Sequence, residues 1–249
     1  MITQDPLMWA IAFLIIFAGL LFYFTGRVTA GHLPTLRRIR AFESIKGFTG
    51  RAIEAGRALH LSLGTGSAAN ETTSDSLAGL TVLDYLAKQG ATTGVPPTVS
   101  MADPTVMLFA QNAARKANAN DPEGVEEAYN NVRWIAPQPG AYAAGVMSLM
   151  NIDEVEANVM VGDFGDEYLL MGETAARRKA GHIGGTSNPN TLPFIYTSAD
   201  ETLLGEEIYA AGAYLQQKPS HIGSLLSQDT MRWLVAGIIL IGIIVASLS

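Results

Sequence analysis

The run Gly64-Thr65-Gly66-Ser67-Ala68-Ala69 is the part of this chain best suited to holding an anion. It reads G-x-G-x-x-A directly after an apolar strand candidate, Leu59–Leu63. Glycines in such a place let backbone amides approach a pyrophosphate at the start of a helix. Two parts of the dinucleotide pattern do not follow. The next helix is predicted to begin only near Ser74, and the nearest acidic residue at a strand end, Asp103, comes 37 residues after Gly66. A plain flexible turn explains the same glycines.

Other oxygen-bearing side chains fall in loops that follow predicted strands: Asp103, then Asp163, then Ser198 with Asp200. In an open α/β sheet such loops converge where ligands bind, and carboxylates there suit Mg²⁺. The candidate cofactor set is therefore Gly64, Thr65, Gly66, Asp103, Asp163, Ser198 and Asp200. A second use competes with it. Asp103, Asp166 and Ser198 or Asp200 each precede a predicted helix, where a short polar side chain caps free amides. The capping reading is favoured, so neither a catalytic residue nor a metal site nor a cofactor is predicted; a nucleotide or Mg²⁺ is the alternative. Asp163-Phe164-Gly165 matches a kinase magnesium motif, but none of the accompanying kinase signatures is present. The four histidines give no metal spacing and no Ser-His-Asp order; His60 and His182 fall at strand entrances, His32 and His221 near apolar segments.

The elements that must position these residues lie between two apolar runs. Leu7 to Thr25 is 19 residues without a charge, and Trp233 to Ser249 is another 17. At about 1.5 Å per residue these reach roughly 28 and 25 Å, enough to span hydrocarbon. Trp9, Tyr23 and Trp233 sit near the ends, where aromatic rings mark the interface. A cleaved signal peptide is not expected, because the leader MITQDP carries Asp5 and no basic residue and the apolar run is too long. Seven basic side chains lie between Arg27 and Arg57 and none precedes Leu7. The positive-inside rule then predicts a two-pass protein of the cell membrane with both termini outside and the main domain cytoplasmic. In that compartment Asn70-Glu71-Thr72 is a chance match to the glycosylation pattern, and the absence of cysteine agrees with a reducing environment.

Charge is unevenly spread. Residues 27–57 carry a net +5, residues 58–231 a net −12, and the whole chain −7. A basic collar beside anionic headgroups with an acidic head beyond it is one reading; topology enforcement alone is the other. Nucleic-acid binding is disfavoured, since the head offers no basic face with interleaved aromatic residues.

Between the apolar runs, strand candidates Leu59–Leu63, Thr98–Met101, Val132–Ala136, Ala157–Val161 and Pro193–Thr197 alternate with amphipathic stretches, among them Asp166–Lys179 and Glu206–Gln217. The alternation predicts an α/β domain with an open, mostly parallel, doubly wound (Rossmann-like) sheet of about five strands. The organisation is a membrane helix at 7–25, a basic juxtamembrane segment and helix at 26–57, the head at 58–218, a connector at 219–232 and a second membrane helix at 233–249. Tyr142-Ala143-Ala144-Gly145 recurs as Tyr209-Ala210-Ala211-Gly212, small-residue helices suited to tight packing or a subunit contact.

Six runs together, GRAIEAGRALHLSLGTG (50–66), SLAGLTVLDYLA (76–87), DPTV (103–106), AYAAG (141–145), FGDEYLLMGETAARR (164–178) and SADETLLGEEIYAAGAYL (198–215), resemble a bacterial and archaeal family of membrane-anchored proteins carrying a domain of unknown function. The resemblance implies the same architecture over about residues 40–235 and supplies no chemistry. The favoured function is a non-enzymatic membrane scaffold or assembly subunit whose head self-associates as a homo-oligomer or docks a partner. A membrane-tethered nucleotide- or Mg²⁺-dependent enzyme or sensor is the alternative, and an accessory subunit of a larger membrane complex the second.

Overall fold

A computed structural model describes residues 6–248. The leader Met1–Asp5 and Ser249, on which the outward placement of the termini partly rests, lie outside the described residues. Contacts separate two compact units: the chain up to Arg37 together with Gln216 onward, and Arg38–Leu215.

The second unit is built on a six-stranded, wholly parallel sheet. Its strands are β1 (Leu59–Gly64), β2 (Thr98–Met101), β3 (Val132–Trp134), β4 (Ala157–Asp163), β5 (Gly181–Thr186) and β6 (Glu201–Leu204). Their order is β3-β2-β1-β4-β5-β6, so the winding reverses between β1 and β4. That is the doubly wound topology expected, with one strand more than predicted. Helices α2 (Arg40–Ala55), α3 (Thr73–Thr93), α4 (Pro104–Ala117) and α5 (Pro122–Asn130) belong to the first half; α6 (Pro139–Ile152), α7 (Tyr168–Arg178), α8 (Leu192–Ser198) and the short α9 (Ala211–Tyr214) follow. Both faces of the sheet are covered, which is why β1, β2 and β4 are buried almost along their length.

Two sequence expectations fail at the β5–β6 end. Pro193–Thr197 is not a strand but the core of α8, with Pro193 in its first turn and Ile195 buried. The fifth strand is instead Gly181–Thr186, and a sixth follows at Glu201. A five-residue apolar run does not reveal its period, and the glycines of GHIGGT lower strand propensity. Those glycines have a use in the fold: a Cβ at Gly184 would strike the Tyr168 hydroxyl, and one at Gly185 would press on Leu203. The predicted helix Glu206–Gln217 is a 3-10 turn, Gly205–Ala210, followed by α9.

The basic juxtamembrane helix is α2, and it forms part of the head. Ala41, Phe42, Ile45, Phe48 and Ala52 make a buried stripe at helical spacing, and Gly56 ends the helix in the left-handed region. Part of its charge is met within the head, by Arg40–Glu201 at 3.5 Å; Arg57, just beyond Gly56, pairs with Glu156 at 3.5 Å.

The other unit contains α1 (Pro6–Thr29) and α10 (Pro219–Leu248). Both are long and apolar enough to cross a membrane. Helix α1 ends where Gly31, at φ 91°, turns the chain; His32 N–H donates to Arg27 O and Gly31 N–H to Val28 O. This closing pattern satisfies the last carbonyls at a helix end. The expected connector 219–232 is no connector but the first half of α10. Pro219 starts the helix, and Ile222, Ser227 and Met231 form its buried side.

Candidate functional site

The reversal of winding puts the loops after β1 and β4 side by side, where a doubly wound sheet takes its ligands. Here the two loops close on each other. Thr65 N–H donates to Asp163 O at 2.9 Å. Gly64 has φ 80°, and a Cβ there would run into the same carbonyl oxygen. A Cβ on Gly66 would lie 2.8 Å from Ser76 Oγ and 3.0 Å from Asp163 Cβ. The glycines that suggested room for a pyrophosphate thus make room for the neighbouring loop. Gly64→Ala combines left-handed strain with that collision and is expected to lower stability by about 2 kcal/mol or more, read as a drop in unfolding temperature.

The first turn of α3, which would face a phosphate, carries a carboxylate of its own. Asp75 is buried and accepts from Ser187 Oγ at 2.6 Å and Tyr209 OH at 2.5 Å. Burial, together with the charges of Asp75 and Glu167, raises the Asp163 carboxyl above its ordinary value. Glu167 accepts from Gly165 N–H at 2.8 Å. Anionic side chains therefore line the place where a phosphate would sit. Among the described residues no group of three or more His, Cys, Asp or Glu side chains is arranged to hold a metal ion.

The predicted site residues divide. Gly64, Thr65, Gly66 and Asp163 meet at the switch point. Asp103 lies at the same carboxyl edge, after β2, and caps α4 by accepting from the Thr105 and Val106 amides. Burial disfavours its charge, but those amides and the Thr105 and Ser67 hydroxyls outweigh it, so its carboxyl is lowered. Ser198 and Asp200 do not join them. Because the strand after them is β6, they lie at its entrance, on the opposite edge of the sheet. Asp200 caps no helix; it accepts from His182 N–H at 2.8 Å. Asp166 likewise caps nothing, since Glu167 precedes α7 and makes no side-chain cap.

One arrangement escaped sequence reasoning. His60 on β1 is the register partner of Asn158 on β4, and Asn158 that of His182 on β5. His60 Nδ1 lies 2.6 Å from Asn158 Oδ1, and its Nε2 lies 2.9 Å from Ser100 Oγ on β2. Tyr142 OH of α6 reaches Ser62 Oγ at 2.6 Å and Ser100 Oγ at 3.1 Å. On the other side Asn158 Nδ2 is 3.3 Å from His182 Nδ1, and Tyr168 OH of α7 is 3.0 Å from His182 Nε2. A continuous polar row thus crosses four strands inside an otherwise apolar core of α6, α7 and β4. Its signal was a buried polar residue in each of four neighbouring strands: His60, Ser100, Asn158 and His182.

The profile of a family described as a domain of unknown function, DUF6754, matches residues 2–249. The chain belongs to that family. No curated protein and no solved structure matches it.

In this DUF6754 chain the row is electrically neutral at pH 7. Burial pushes His60 down to about 4, against the Asn158 hydrogen bond and Asp153, which favour the proton. Burial also pushes His182 down to about 4, against the Asn158 carbonyl and Asp200. Burial raises the Tyr142 phenol to about 12 and the Tyr168 phenol well above its usual value. Since His60 Nδ1 faces an amide oxygen, it carries the proton, and Nε2 accepts from Ser100. Every member is satisfied, as a buried polar network must be if it is not to cost stability. None of its groups is both charged and open to a substrate, which suits a structural device better than a catalytic one.

Proposed function

We propose that this protein is a non-enzymatic, membrane-anchored scaffold or assembly subunit whose acidic head self-associates or docks a partner. The observation that supports this reading is the switch point, where Gly64, Thr65 and Gly66 pack closely against Asp163 and its loop. The two apolar helices supply the anchor, and the flanking charges favour termini outside and a cytoplasmic head. The alternative of a nucleotide- or Mg²⁺-dependent enzyme must place phosphate against Asp75, Asp163 and Glu167, which repel it.

Exposed apolar side chains at the β3 edge of the sheet support the docking reading. Leu108 and Phe109 on α4 are 64% and 52% exposed, with Tyr129 on α5 and Trp134 on β3 at 47% and 46%. Large apolar side chains on three adjacent elements beside an unpaired strand edge are features of interaction surfaces. The full chain in mild detergent is expected to run as an oligomer or with a bound partner. Replacing Leu108 and Phe109 together by Glu is expected to weaken that association about tenfold, measured by mass photometry across a dilution series. A wild-type chain that is a monodisperse monomer with nothing co-purifying overturns the reading.

A further inference from the structure

The two membrane helices are staggered. The backbone of α10 at Gly223 lies against Thr25, where a Cβ would come within 2.9 Å of the Thr25 Cα. Thr25 is the last residue of the first apolar run, yet Gly223 stands ten residues before the second run begins at Trp233. Running antiparallel to α1 from that point, Asp229 and Arg232 lie about 9 and 14 Å deeper, beside the middle of the first run. A separate contact gives the same alignment: Phe13 and Phe17 of α1 line one cleft with Met231, Arg232, Val235 and Ile239 of α10. A bilayer that covers α1 therefore takes in the polar half of α10. Moving it to exclude Arg232 strips hydrocarbon from the charge-free stretch between Phe17 and Thr25.

Ionisable side chains at that depth are costly and need partners. Arg232 and Asp229 are 3.5 Å apart, with side chains 55% and 66% exposed on the outside of the helix pair. They stand one turn apart on one face, so the face is self-complementary in charge: around a two-fold axis along the membrane normal, Arg232 of one copy meets Asp229 of the partner subunit, and the reverse. The adjoining cleft, about 490 Å³ and almost wholly apolar, lies at the same level. An anionic lipid would be drawn by Arg232 but repelled by Asp229, which favours a second copy over a headgroup.

We propose that the membrane helices form a homotypic contact through reciprocal Arg232–Asp229 pairs, flanked by the Phe13–Phe17 cleft. This rests on the membrane-anchored, self-associating reading above. The chain contains no cysteine, so a single Glu123→Cys site on the full chain takes donor or acceptor dye for energy transfer in lipid nanodiscs or dilute vesicles. Asp229→Leu alone and Arg232→Leu alone each remove both reciprocal pairs, and each is expected to weaken association at least about tenfold. Mixing the two variants restores one pair between chains but none within a chain, and transfer between them is expected to recover. Recovery on mixing cannot arise from a variant that merely misfolds. An oligomeric wild type whose variants associate as strongly as it does, or whose mixture does no better than either variant, overturns this contact and leaves head-driven assembly standing. A monomeric wild type overturns both.

Discussion

Asn158→Leu is expected to destabilise the head by about 1–3 kcal/mol. The leucine fills a similar volume but removes the amide oxygen that accepts from His60 Nδ1, leaving that donor without a partner in a dry core, while His182 Nδ1 keeps the Asn158 backbone carbonyl at 3.2 Å. Each orphaned buried group costs about 1–3 kcal/mol, more than the net gain of the bond it replaces. Tyr142→Phe tests the same principle more gently, since Ser62 and Ser100 keep the option of turning their hydroxyls elsewhere; about 1–2 kcal/mol is expected. Denaturant unfolding of the full chain in detergent measures both. An Asn158→Leu protein as stable as the wild type would show that the row contributes little.

Acidification is expected to have a comparable effect without any mutation. An unfolded histidine titrates near 6.5, whereas His60 and His182 titrate at about 4 when folded. The unfolded state therefore binds more protons between these values, and stability falls as pH drops through that window. Above pH 7 nothing is lost; below about 4 the loss is complete. At pH 5 each histidine costs about 2 kcal/mol relative to pH 8, and the pair about 4. The raised Asp163 carboxyl works in the opposite direction, since a folded carboxyl that holds its proton more tightly gains stability on acidification. Unfolding midpoints from pH 8 to pH 5 check the sum, and proton uptake on unfolding near pH 5 checks the assignment. A flat profile across that range would mean that the rings are protonated or solvated in the folded head.

Most of the fold could be read from the chain because its first four strands are short apolar runs bounded by turn signals. The β5–β6 region could not, for a reason visible in two segments. LPFIYTS has the aromatic and β-branched content of a strand but is short enough to close as two turns of helix behind Thr191. GHIGGT has the content of a turn but pairs along its whole length, because Tyr168 and Leu203 need the space that side chains would occupy. Exchanging those two assignments moved Ser198 and Asp200 to the wrong edge of the sheet. At the switch point spacing records that glycines stand at positions 64 and 66, but not whether a ligand or the close approach of Asp163 calls for them. The histidines were discounted because they lack metal spacing, and a row across strands leaves no local pattern in sequence; only register makes it visible.

That register has a consequence for how the head assembles. His60 and Asn158 are 98 residues apart, so their pairing waits for a long loop to close. The apolar side chains of β4 are similar enough that a two-residue slip would still bury them. The row removes that degeneracy, because any slip of β1, β4 or β5 parts an imidazole from the amide that satisfies it. Until all three strands are aligned, the polar groups are better left in water than brought into the core. The row therefore favours the correctly threaded sheet over near-correct alignments, since its hydrogen bonds form only in the observed register.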